Sequence, residues 1–292
     1  MSYISGLKNP NCLTLLFQAL SRTGQGGSRH MAPVIRSALW LGFFGLILAA
    51  WSIMYAMSTG MGLDLLGRPD ATGQMMRNMD PGMDMEMPMA RFGPLAVMWG
   101  GMMAAMMLPT MIPTLRSYED LMVSANGTRA GWFGVLSGYF IMWLGFAMVI
   151  ALVQLALLYG GVIDMLGIAK SRWMAAALLL AVGLFQFTRA KEICHGVCHS
   201  PMMYFMGHWK PGFAGGVRMG LGLGSFCVAC CWGFMVLGFA GGVMNLAWMG
   251  LATLFMVLEK LPQIGHKVTR PMGVLLILGA CAVAAWPLYS GG

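Results

Sequence analysis

WFGVLSGYFIMWLGFAMVIALVQLALLY, residues 132–159, contains no Asp, Glu, Lys or Arg. A hydrocarbon layer about 30 Å thick needs about 20 apolar helical residues to cross it, and this stretch is longer than that. Six further runs have the same character: 34–57, 94–115, 172–188, 214–239, 242–258 and 271–289. The run 172–188 is short, but Arg172 and Arg189 flank it and can snorkel to the interface. In lipid each backbone polar group must be satisfied within its own segment, which makes these runs helices. The expected fold class is all-α, a polytopic transmembrane helical bundle of about seven spans. No internal repeat stands out. A tail over 1–33 followed by a single transmembrane domain over 34–290, with a Met-rich loop at 58–93, is the simplest organisation.

Composition agrees with that reading. Of 292 residues only 10% are charged, and the mean hydropathy is +0.72. A soluble domain carries about 25% charged residues. The lipid bilayer is therefore the expected surroundings. The net charge of +8 does not point to nucleic acid, because no basic helix or aromatic-interleaved patch is present. The basic residues lie between the apolar runs, where they act as orientation signals. Lys8, Arg22, Arg29 and Arg36 precede or open the first run. Arg189, Lys191 and Lys210 follow the fourth, and Lys260, Lys267 and Arg270 follow the sixth. These three groups fall on one side, expected to be the cytoplasm, with the N-terminus. The 58–93 loop carries Asp64, Asp70, Asp80, Asp84 and Glu86 against Arg68, Arg77 and Arg91, and is expected outside. The first thirty residues lack the apolar core and small-residue cleavage site of a signal peptide.

Two cysteine clusters carry the chemistry. Cys227, Cys230 and Cys231 stand at helical spacings of three and four, so their sulfurs share one helix face, and Met235 continues it one turn on. Thiolates with thioethers suit Cu(I). Against this, a buried Cys also serves as a small hydrophobe, and Gly216, Gly220 and Gly224 form a small-residue ladder suited to close helix packing. Upstream, Cys194 and Cys198 are four apart, and His195 and His199 repeat the spacing one step along. On a helix all four project from one half of its surface. Such a set binds Zn²⁺ well, and imidazole also serves copper. The alternative is an interfacial loop whose Cys and His sit among basic residues.

Methionines form a third pattern. The segment 74–91 crowds Met75, Met76, Met79, Met83, Met85, Met87 and Met89 among Asp, Pro and Gly, where there is no core to fill. Thioethers stay unprotonated at any pH and can collect Cu(I) outside a cell. In the second run, Met98, Met102 and Met106 form one row, and Met103, Met107 and Met111 form another beside it. These rows are either packing or an ion path ending where Pro109 and Pro113 loosen the helix. No Ser/His/Asp arrangement, phosphate-cradling loop or Walker motif is present, so an ATP-driven pump is not expected.

Four stretches together resemble a known family. They are W-G-G-M-M-A-A-M-M-L-P-T from Trp99, F-T-R-A-K-E-I-C-H-G-V-C-H-S-P from Phe187, R-M-G-L-G-L-G-S-F-C-V-A-C-C-W from Arg218, and the closing V-M-N-L-A-W-M and L-E-K-L. The chain over roughly 94–280 resembles the DUF2182 family of predicted metal-binding integral membrane proteins. The resemblance implies a bacterial inner (plasma) membrane protein with a metal site formed by Cys194, Cys198, Cys230 and Cys231. The Met-rich loop lies outside the matched region.

The combined expectation is a membrane protein that binds and handles a soft metal, with copper ion first and zinc as the alternative. A periplasmic or membrane partner protein, such as a metalloenzyme under assembly, is a further expectation. The competing readings are a membrane thiol–disulfide relay and an assembly or scaffold partner of a metalloprotein.

Overall fold

The computed structural model describes residues 26–77, 90–125, 127–261 and 264–289. It is all-helical. The described residues divide into two units whose boundary falls within the first helix. One unit ends at Leu48, and the other runs from Ala49 to the C-terminus. The long helix α1 (Gly26–Gly60) is followed by a short α2 (Ala71–Arg77). Next come α3 (Phe92–Met107), one 3-10 turn (Pro109–Met111), and α4 (Ile112–Ser124). The remaining helices are α5 (Arg129–Tyr159), α6 (Arg172–Phe185), α7 (Arg189–His199), α8 (Pro201–His208), α9 (Gly212–Val236), α10 (Gly238–Gly241), α11 (Leu246–Glu259) and α12 (Gly265–Tyr289).

Local chemistry sets several of these boundaries. Thr128, Thr188 and Asn245 cap α5, α7 and α11 by accepting the N–H groups of Gly131, Lys191 and Trp248. Pro201 occupies the first turn of α8, where its missing N–H costs nothing.

The helical class agrees with the sequence, and the expected count of about seven spans is not settled by helix length and composition. Among the described residues four helices are long and apolar enough to cross a membrane: Val34–Gly60, Arg129–Tyr159, Gly212–Gly241 and Lys267–Ala285. The count reaches six if two bent pairs each make one crossing. Phe92–Met107 and Pro109–Met122 meet at 40°, at the position where Pro109 removes a backbone donor. Arg172–Phe185 and Arg189–His199 meet at 63°. The expected sixth span is the 14-residue α11. At 1.5 Å per residue it reaches about 21 Å, short of the hydrocarbon thickness.

The tightest packing joins α5 to α9. A Cβ on Gly216 or Gly220 would strike the carbonyl of Gly131 or Val135, and one on Gly138 would strike that of Val217. The expected glycine ladder therefore faces a second one, Gly131, Gly134 and Gly138, and the two backbones touch. Contacting residue numbers rise together along both helices, so α5 and α9 run parallel. The chain must return between them, and α6 is the apolar helix that lies there in sequence.

A short internal repeat exists after all. L-D-L-L-G (63–67) and I-D-M-L-G (163–167) form the same turn. Asp64 Oδ1 accepts the N–H groups of Leu66 and Arg68 at 2.9 and 2.7 Å. Asp164 Oδ1 accepts those of Leu166 and Ile168 at 3.1 and 2.8 Å. Gly67 and Gly167 supply the positive φ (71° and 73°) that other residues resist. Both turns grip the α10–α11 corner: Ala247 N–H donates to Leu65 O at 2.9 Å, and Ala169 N–H donates to Phe239 O at 2.8 Å.

Candidate metal centre

Cys227, Cys230 and Cys231 sit on the buried face of α9, with 1%, 3% and 1% of their surface exposed. Their sulfurs all lie within 4.8 Å of one another. Cys230 and Cys231 are 3.3 Å apart, and Cys227 and Cys231 are 4.0 Å apart. A fourth sulfur comes from α7, with Cys198 Sγ 3.9 Å from Cys230 Sγ. None of the described cysteines is in a disulfide. For a metal–sulfur bond of about 2.3 Å, ligand sulfurs stand about 3.8 Å apart in a tetrahedron and about 4.0 Å apart in a trigonal plane. The two longer separations already match, so the thiols are spaced as ligands.

The surroundings are polar on one side. Tyr139 Oη, from α5, lies 3.0 Å from Cys227 Sγ, 3.1 Å from Thr110 Oγ1 and 4.0 Å from Met107 Sδ. Lys260, at the end of α11, places Nζ 3.2 Å from Cys227 Sγ and 3.0 Å from Thr110 Oγ1. Lys191, on α7, donates to the Cys230 carbonyl at 2.9 Å and pairs with Glu259 Oε1 at 2.8 Å. Thr269 donates to the same carboxylate oxygen at 3.0 Å. Lys191 and Lys260 are thus not loop residues that vote on orientation. Both are buried, at 1% and 5% exposure, with their ammonium groups beside the thiol cluster.

The other candidate ligands are placed as follows. Cys194 is buried one turn before Cys198 on α7. The His195 and His199 rings lie side by side, tilted at 46° with centroids 3.8 Å apart. Both turn Nε2 onto the Glu259 carbonyl, at 2.9 Å for His195. That carbonyl ends α11 and has no partner within its own helix, so the two imidazoles cap it. His208 is exposed, with Nδ1 on the Tyr204 carbonyl. Met102, Met103, Met106 and Met107 are all buried on α3, and Met235 is buried on α9. Of the Met rows, Met107 ends beside the cluster, through Tyr139. Met83, Met85 and Met87 lie outside the described residues.

Sequence reasoning missed Tyr139, Thr110, Lys191 and Lys260. The two lysines were visible as charges at the edges of apolar runs, but the same pattern marks an ordinary interfacial loop. Tyr139 stood in an uncharged span among other aromatics, and nothing local singled it out.

The model of the family PpoB2, described as a copper chaperone, matches residues 96–283. The chain belongs to this copper-chaperone family. The match covers nearly the same stretch as the four motifs quoted above and includes all the thiols of the cluster. The expectation of a metal-binding family holds in the coarser sense that the matched family is copper-related; it is PpoB2 and not the DUF2182 name that the motifs suggested. No curated protein and no solved structure matches the chain.

Proposed function

We propose that this copper chaperone is a membrane-embedded carrier that holds Cu(I) on Cys227, Cys230 and Cys231, with Cys198 as the cross-helix ligand. The observation that carries the reading is the convergence of four buried sulfurs from α7 and α9 at ligand spacing. Thiolates prefer a soft monovalent ion, which favours copper over zinc. In this reading the Met83, Met85 and Met87 region collects ions outside. The rows of Met102, Met103, Met106 and Met107 lead them along α3, and the thiols hold them for a periplasmic or membrane partner. Met235 extends the donor face of α9. Cys194 stands behind Cys198 as a secondary sulfur. His195 and His199 keep α7 docked against α11 and so position Cys198. The protein sits in the bacterial inner membrane with its N-terminus in the cytoplasm.

A thiol–disulfide relay is less well supported. Exchange requires a partner sulfur to reach the attacking thiolate, and the α9 thiols are buried. The test is Cu(I) stoichiometry on purified full-length protein under anaerobic conditions. Wild type should retain about one tightly held ion, whereas Cys230→Ser and Cys231→Ser should not. Equal copper in all three would refute the site.

A further inference from the structure

Lys260 is a buried ammonium that lacks a carboxylate partner among the described residues. The nearby carboxylate, Glu259, is taken by Lys191 at 2.8 Å and by Thr269 at 3.0 Å. Thr110 and Tyr139 offer Lys260 only neutral oxygens, at 3.0 and 3.5 Å, and the Tyr139 ring lies 5.5 Å away. An isolated charge in such a place is costly unless it faces an opposite one. Cys227, at 3.2 Å, is the group within reach that becomes anionic when it ligates a metal. Lys260 Nζ is therefore shared between the neutral Thr110 and Tyr139 oxygens and the thiol cluster, and of these the cluster is the one that takes on negative charge when a metal binds.

We propose that Lys260 is the built-in counter-ion of the thiol cluster and makes it select a monovalent over a divalent cation. The inference rests on the copper-site reading above and adds a specificity-determining residue to it. The ammonium offsets part of the negative charge of the ligating thiolates, and it repels a divalent ion by one unit charge more than a monovalent one. An ion bonded to Cys227 at about 2.3 Å would lie no more than about 5.5 Å from Lys260 Nζ, which is 3.2 Å from the sulfur. At an effective dielectric constant near 20, one unit charge at that distance changes affinity by a factor of about 100 or more. The Lys191–Glu259 pair is neutral as a whole and adds no such bias.

The experiment compares wild type, Lys260→Gln and Lys260→Arg as full-length protein in nanodiscs. Cu(I) and Zn(II) affinities are measured by chelator competition without oxygen. Lys260→Gln should lower the Cu(I):Zn(II) affinity ratio about 100-fold, and Lys260→Arg should stay within about fivefold of wild type. A merely structural lysine would weaken both metals together and leave the ratio unmoved, and that result overturns the proposal. Where Lys260→Gln does not fold, the wild type supplies the reading by itself. Its preference for Ag(I) over Cd(II) must exceed that of a simple dithiol in water, and an equal preference overturns the proposal. Loss of copper in Cys230→Ser with an unchanged ratio in Lys260→Gln would remove this inference and leave the site standing. Copper retained in Cys230→Ser would remove the site reading itself.

Discussion

Replacing Gly220 with alanine tests the architecture that holds the site together. The added Cβ would sit against the Val135 carbonyl, with Tyr139 N and Val135 C each at 2.9 Å. Ordinary contact begins near 3.4 Å, and these neighbours are backbone atoms that no rotamer change can move aside. The helices α5 and α9 must therefore part by about half an ångström or more. Overpacking of this kind costs about 3 kcal/mol, the upper part of its usual range, because the obstruction is backbone. Alanine returns about 1 kcal/mol through helix propensity, for a net loss of about 2 kcal/mol. At about 2–4 °C per kcal/mol for a chain of this size, the melting temperature should fall about 4–8 °C. The same separation draws Tyr139 away from Cys227, now 3.0 Å apart, so copper affinity should fall as well. The control is Gly145→Ala on the partner helix α5, whose Cβ would meet nothing within 4 Å. That variant should be neutral or slightly stabilised. The assay is thermal unfolding in detergent followed by chelator competition. If the two alanine variants behave alike, the backbone-contact argument fails.

Three further outcomes follow from the same geometry. Cys231→Ser should lower Cu(I) affinity by at least about tenfold, whereas Ser at the exposed Cys281 should leave it unchanged in the same titration. Glu259→Gln strands the Lys191 ammonium, which is 1% exposed. It should cost about 3–5 kcal/mol in denaturation, and the double variant with Lys191→Met should recover most of that. Binding a metal displaces a proton from each thiol that ligates, so retention should weaken on acidification, by about tenfold per pH unit for each ligating thiol that is protonated in the empty site. A pH-independent affinity between pH 6 and 8 would argue for thioether ligands instead.

The amino-acid sequence determined the fold class, because runs of apolar residues longer than a bilayer's thickness have no other home. It also determined which atoms are available for chemistry. The three thiols on α9 were legible because i, i+3 and i+4 spacing is a property of a single helix. The facing of α5 against α9 was half legible. Gly216, Gly220 and Gly224 read as a packing ladder, but their partners Gly131, Gly134 and Gly138 emerge only when the helices meet. The bends at Pro109 and between α6 and α7 break two of the apolar runs that a linear reading takes as straight spans, because hydropathy measures length along the chain and not direction. Tertiary structure alone decided the identity of the fourth sulfur, the pairing of Glu259 with Lys191 and the aim of Lys260 at Cys227. Each of those contacts joins residues on different helices. Spacing along the chain constrains neighbours on one helix, whereas which helices touch depends on packing that no local pattern encodes.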